Sequence, residues 1–211
     1  MNSEQHAGNL KLLGGRLCLD FANTVDWRTG EHPQEWLTSY ANLVAWSEHA
    51  GIVTESEAHR LRDFAARHPT VASAVLEQAI ALREAIYRIF SAIADERSPE
   101  ATDVSTLNDA LSEALPRLRV TPTVDGFTWQ WATNEDSLDQ MLWPVARSAA
   151  ELLTAGKLSR VQMCAGDDCG WLFFDTSKNR SRRWCSMEDC GNRAKARRHY
   201  QRHRALQEPK R

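Results

Sequence analysis

The chain lacks an uninterrupted apolar run of the roughly 18 residues needed to cross a bilayer, so no span is expected anywhere in its 211 residues. It also lacks a glycine-rich phosphate loop, a nucleophile-elbow serine and a His-Glu-x-x-His pair, and with them the commonest signatures of nucleotide, acyl-transfer and metalloprotease chemistry. Catalysis is therefore not expected. The start, Met1-Asn2-Ser3-Glu4-Gln5-His6, has neither the basic region nor the apolar region of a secretion signal, and a cytoplasmic location follows as the expectation. Cysteine is scarce, five in all, yet four of the five fall between positions 164 and 190. In a reducing compartment, clustered thiols bind metal more often than they pair as disulfides.

What is present is an ordinary globular composition, 42% hydrophobic and 26% charged, long enough for one core and an appendage. The formal net charge of −2 hides an asymmetry: residues 160–211 carry +7 and residues 1–159 carry −9. A basic end on an acidic body confines any binding of polyanions to that end.

The few prolines and glycines punctuate a mostly helical body, 1–157. Residues 16–27 fit a strand or a helical face equally well. Pro33 marks the opening of a helix through Trp36, Tyr40, Leu43 and Trp46, closed by Gly51. Thr54-Glu55-Ser56-Glu57 is a capping box. Val71, Val75, Ala79, Leu82, Ile86, Phe90 and Ile93 recur at the spacing of a core helix over 70–95. Another helix covers 101–115, stopped by Pro116. Leu118–Thr121 and Phe127–Trp131 flank Asp125-Gly126, a β-hairpin signal. A last helix is expected from Ser137 to Leu153, kinked at Pro144. The linker Thr154-Ala155-Gly156-Lys157 is too short to let the two units swing freely.

Cys164-Ala165-Gly166-Asp167-Asp168-Cys169-Gly170 and Cys185-Ser186-Met187-Glu188-Asp189-Cys190-Gly191 are one heptapeptide pattern written twice, with fifteen residues between the second cysteine of one and the first of the next. Two such pairs give four thiolates to one tetrahedral Zn²⁺. Two disulfides, four inert thiols and an iron–sulfur cluster are the rival readings; the repeat and its surroundings favour zinc. Each glycine after a second cysteine suits a left-handed turn. Between the pairs, Trp171–Phe174 reads as a strand, Asp175–Ser181 as a turn and Arg183-Trp184 as the return of a small hairpin, with both tryptophans covering the metal. The fifth cysteine, Cys18, sits among apolar residues as a buried hydrophobe.

After Cys190 runs an unbroken basic helix. Residues 176–204 hold ten Lys and Arg against two acids. Lys178, Arg180, Arg182, Arg183, Asn192, Arg193, Lys195, Arg197, Arg198, Arg202 and Arg204 form a candidate nucleic-acid surface, phosphate being the natural counter-charge. Screening of the anionic metal centre, or docking on the acidic body, would use the same arginines. DNA is favoured over RNA because a lone short helix can enter a major groove. A protein-interaction module and an RNA-binding module are the alternatives.

Cys190-Gly191-Asn192-Arg193, preceded by Arg183-Trp184-Cys185-Ser186, resembles the CGNR zinc-finger family. Leu17-Cys18-Leu19-Asp20-Phe21-Ala22-Asn23-Thr24 resembles the start of the ABATE domain that accompanies such fingers. The resemblance implies Cys164, Cys169, Cys185 and Cys190 as ligands of one zinc, DNA binding by the following helix, and a role in transcription regulation. The chain as a whole reads as an α+β fold, mostly helical, with a treble-clef-like four-cysteine zinc finger over 158–206 and a disordered tail over 207–211. Within the helical domain, Asp20, Asn23 and Thr24 are either caps and turn residues or the lining of a small-effector pocket. The domain would then sense a signal or form a homodimer.

Overall fold

The computed structural model describes residues 5–132, 137–155 and 157–207. Residues 1–4, Gly156 and the tail from 208 onward, named in the expectations above, lie outside them. The first short helix, α1 (Leu17–Ala22), buries Cys18, Leu19, Phe21 and Ala22. Burial on most of its sides explains why periodicity could not separate strand from helix. Strand β1 (Val25–Asp26) pairs antiparallel with β2 (Gln34–Glu35). That pairing takes the segment after Pro33 out of any helix. The next helix, α2 (Tyr40–His49), begins instead at Ser39, whose hydroxyl accepts from the Asn42 amide at 3.2 Å. The helix expected at Pro33 thus starts seven residues later, and Trp36 and Leu37 precede it. The Thr54–Glu57 capping box opens α3 (Glu55–Arg67).

Helix α4 (Pro69–Ala94) is the axis of the fold, flanked by α1, α2, α3, α5 and α6 and by the finger strands. Its stripe Val75, Ala79, Leu82, Ile86, Ile89 and Phe90 is buried, while Val71, expected in the same stripe, is half exposed. α5 (Ala101–Ala114) follows, then a 3₁₀ turn through Pro116, then the hairpin β3 (Leu118–Thr123) and β4 (Gly126–Trp131). α6 (Leu142–Thr154) starts five residues later than the expected Ser137. Pro144 consequently lies in its first turn, where a missing N–H has no intrahelical partner to lose, rather than at an interior kink.

The C-terminal segment adds β5 (Val161–Met163), antiparallel to β6 (Leu172–Phe174), a single π-type turn over Met187–Gly191, and α7 (Asn192–Gln207). The small hairpin is therefore built from strands on either side of the first cysteine pair. The expected return strand, Arg183-Trp184, does not pair with β6. Gln207, expected in the tail, is the last helical residue. The described chain is mostly helical with three small antiparallel strand pairs. No described helix is long and apolar enough to cross a membrane.

The finger does not hang from the body. Val161, Leu172 and Phe174 belong to the same buried cluster as α1, α2, α4 and α6. A second cluster contains the four cysteines with Trp171 and Phe173. Beside the shared core runs an ionic seam: Arg83, 2% exposed, bonds both carboxylate oxygens of Glu35 at 2.6 Å. Arg28 bonds Glu84 at 2.8 Å and lies over the Tyr87 ring.

Candidate metal centre and basic helix

The first cysteine pair forms a knuckle because the Cys164 amide donates to the Trp171 carbonyl at 2.8 Å and the Cys169 amide to Gly166 at 3.1 Å. Gly170 then takes φ +66°, a backbone setting that suits a residue without Cβ. Gly191 does not share that role. It sits inside the π-type turn, and a Cβ there would lie 2.8 Å from the Met187 sulfur, the end of a flexible, half-exposed side chain that can shift, so neither space nor backbone sign requires glycine. Ser186 caps this second knuckle, its hydroxyl accepting from the Asp189 amide at 3.2 Å.

These two turns bring Cys164, Cys169, Cys185 and Cys190 together, all buried, with their sulfurs within 4.8 Å of one another. Cys169 and Cys185 are 3.6 Å apart, as are Cys185 and Cys190. Zn–S bonds of about 2.3 Å in a tetrahedron place sulfurs about 3.8 Å apart, so the donor set fits the ion. None of the four is in a disulfide. Hydrogen bonds from Cys169 and Cys185 pull the Cys164 thiol well below its ordinary range. That thiolate in turn pushes Cys169 and Cys185 upward, so successive deprotonations oppose one another until a cation joins them. The Cys185 amide donates to the Cys164 sulfur at 3.2 Å, and the Arg193 guanidinium to the Cys190 sulfur at 3.1 Å. These residues hold one Zn²⁺, which supplies cross-linking of the two knuckles rather than reactivity. Trp171 is buried against the centre and Trp184 half-buried against it, the cover expected of both.

The candidate residues separate into those held by partners within the chain and those without an acidic partner among the described residues. Arg182 is half-buried: it donates to the carbonyls of Trp184, Leu13 and Cys185 and stacks 4.2 Å from the Phe173 ring centre. Its place is structural. Arg193 serves the Cys190 thiolate, Arg197 pairs with Asp167, and Arg183 lies over Trp184. Asn192 donates to the Glu188 carbonyl and Arg198 to that of Ala194. Lys178, Arg180, Lys195, Arg202 and Arg204 are exposed and have no acidic partner among the described residues. His199 and His203 stand 3.1 Å apart on the exposed helix.

Sequence reasoning missed Trp27. This residue of the N-terminal unit is 48% exposed at φ +48°. It borders a cleft of about 330 Å³ with Arg183, Arg193, Arg197 and Arg198. The Arg28 amide donates to the Cys169 carbonyl at 3.2 Å, which ties the Trp27 loop to the knuckle. Nothing local in the sequence links position 27 to position 193.

Asp20, Asn23 and Thr24 occupy the joint between body and finger. Asn23 is 3% exposed; its amide donates to the Leu172 carbonyl and its carbonyl accepts from the Leu172 amide, both at 2.8 Å. Thr24, fully buried, donates to Phe21 and accepts from Arg83. Asp20 accepts from the Gly14 amide at 2.7 Å, and burial raises its carboxyl to about 6. Gly14 also accepts from the Phe174 amide at 2.8 Å, and a Cβ on it would lie 2.7 Å from the Asp20 nitrogen. Their polar atoms are engaged by backbone groups and by the Arg83 guanidinium, and two of the three are sealed from solvent. The effector-pocket expectation is therefore replaced by a structural role. Cys18 is sealed too, and burial pushes its thiol up to about 12.

A helical body with a four-cysteine finger set into its core defines a zinc-finger protein. Residues 15–156 match the ABATE family, described as "Putative stress-induced transcription regulator", and residues 160–203 match the CGNR zinc finger. The chain belongs to the ABATE family and carries a CGNR finger, as the two motifs had indicated. No curated protein matches it.

Proposed function

We propose that the protein is a zinc-dependent DNA-binding regulator whose α7 and 176–183 loop grip the phosphate backbone. The observation that carries this is the row of exposed cations without acidic partners among the described residues, Lys178, Arg180, Lys195, Arg202 and Arg204, on a frame pinned by the metal site. α7 presents no apolar face: every described side chain from Asn192 to Arg204 except the half-buried Ala194 is exposed. A rod of that kind is matched to solvent and polyanions, not to a core or a membrane. Arg193, Arg197 and Arg198 beside Trp27 give the same face a shorter-range contact zone in which a planar group could stack on the indole. In this reading the acidic body repels nucleic acid and orients it toward the finger.

The test is fluorescence anisotropy of zinc-loaded protein with a labelled random duplex, followed by selection from random duplexes. Duplex DNA should bind with a steep salt dependence, and Lys195→Ala or Arg202→Ala should each lower the log–log salt slope by about 1. Selection should enrich a sequence. RNA competing far better than duplex would favour the RNA-binding alternative. Heparin competing equally, with no sequence enriched, would leave only a polyanion binder and overturn the regulator reading.

A further inference from the structure

The β3–β4 hairpin has a division of residues that the metal centre and the basic helix do not use. The register pairs Leu118 with Trp131, Val120 with Trp129 and Pro122 with Phe127. Side chains alternate across a sheet, so these six apolar residues share one face. The other face holds Arg119, Thr121, Thr123, Thr128 and Gln130. One end of the apolar face is anchored: Trp131 lies 5.9 Å from the Trp143 ring, and Arg147 sits over Trp129. The outer part is open to solvent, with Val120 58%, Phe127 78% and Trp129 56% exposed, and Val124 wholly exposed at the tip. No described element covers it, and this two-stranded sheet has no third strand among the described residues.

We propose that this face is a self-association surface, on which the hairpins of two copies of the chain pack face to face about a twofold axis. Two arguments select a second copy over an unrelated partner. The first is charge. The body over residues 1–159 carries −9, so two copies repel across most of it. The hairpin 118–131 holds one Arg and one Asp and is neutral, and the six residues of its apolar face are all uncharged, with the Arg147 guanidinium of α6 lying over one of them, Trp129. The second is area. The exposed parts of Val120, Val124, Phe127 and Trp129 amount to about 500 Å² per copy, hence about 1,000 Å² for a pair, the lower bound for a specific association. A self-complementary patch meets that bound only when both sides bring it, which is the property of a twofold interface. Apolar patches of about 300–600 Å² are the largest that typical monomers expose, and they are often functional. An area at this lower bound belongs to the weak, reversible class of association.

The experiment is sedimentation velocity on the zinc-loaded full chain from about 1 to 200 µM, comparing wild type with Phe127→Lys, Trp129→Gln and the polar-face control Thr128→Lys. Phe127 and Trp129 sit on the surface, and circular dichroism with metal content verifies that each variant is folded. Wild type should dimerise reversibly. Phe127→Lys and Trp129→Gln should each weaken dimerisation by at least tenfold, and Thr128→Lys should change it less than threefold. A monomeric wild type throughout that range overturns the proposal. So does a dimer that both apolar-face variants leave intact, because another surface would then be responsible. Should one variant fail to fold, the other with its control decides the outcome.

Discussion

Replacing Asn23 with alanine should uncouple the body from the finger. Asn23 meets Leu172 with two hydrogen bonds of 2.8 Å in a place that is 3% exposed on one side and fully buried on the other. Alanine removes the donor and the acceptor together and leaves the Leu172 N–H and C=O facing an apolar interior. Each orphaned backbone group costs about 1–3 kcal/mol. The pair should therefore cost about 3 kcal/mol once partial water entry is allowed for. Total stability of a domain this size is about 5–15 kcal/mol, so the loss is large and the midpoint of urea unfolding should fall visibly. Leu172 follows the first knuckle closely, so the same change should loosen the metal, seen as faster zinc transfer to a chromogenic chelator. Asn23→Asp should be at least as damaging, since a buried carboxylate faces the Leu172 carbonyl. The reasoning fails if Asn23→Ala unfolds within about 1 kcal/mol of wild type and releases zinc at the wild-type rate.

Other perturbations have equally definite outcomes. Cys190→Ser should abolish stoichiometric zinc in elemental analysis, whereas Cys18→Ser should retain it, because only the former sulfur belongs to the cluster. Arg83→Met should cost about 3 kcal/mol in urea unfolding, since it strands the Glu35 carboxylate and the Thr24 hydroxyl that the guanidinium now serves. Asp20, raised by burial to about 6 when folded against about 3.9 unfolded, binds its proton more tightly in the folded state. Its contribution therefore falls as pH rises from about 4 to about 6. Asp20→Asn keeps an acceptor for the Gly14 amide, so at saturating zinc its stability relative to wild type should rise by about 2 kcal/mol between pH 4.5 and pH 7.5; a constant difference at both pH values would contradict this.

The features legible in the sequence were those set by short-range spacing. The cysteine repeat is written in two heptapeptides, the α4 stripe in a three- and four-residue rhythm, the α3 start in a four-residue capping box, and the β3–β4 turn in Asp125-Gly126. What escaped depends on pairing between distant residues. Ser39 rather than Pro33 starts α2 because β1 claims Gln34 and Glu35 as strand partners. β6 finds β5, not Arg183-Trp184, because that pairing also lays Val161, Leu172 and Phe174 into the common core. Arg182 looks like its neighbours in composition, yet three carbonyls and a phenyl ring turn it inward. Asp20, Asn23 and Thr24 stand out as polar residues in an apolar stretch, and only the fold shows that their partners lie up to 149 positions away.

Because β5 and β6 are laid into the helical body, the finger is not a cassette that can be cut out and fused elsewhere; excision at residue 157 would tear Val161, Leu172 and Phe174 from their packing. Beyond Cys190, however, the chain leaves that packing, and the described side chains of α7 are almost all exposed. The transplantable part is thus the rod alone. Relatives with different targets would vary the exposed cations of this helix and of the 176–183 loop while keeping Asn192, Arg193 and Arg197, which are tied to Glu188, Cys190 and Asp167.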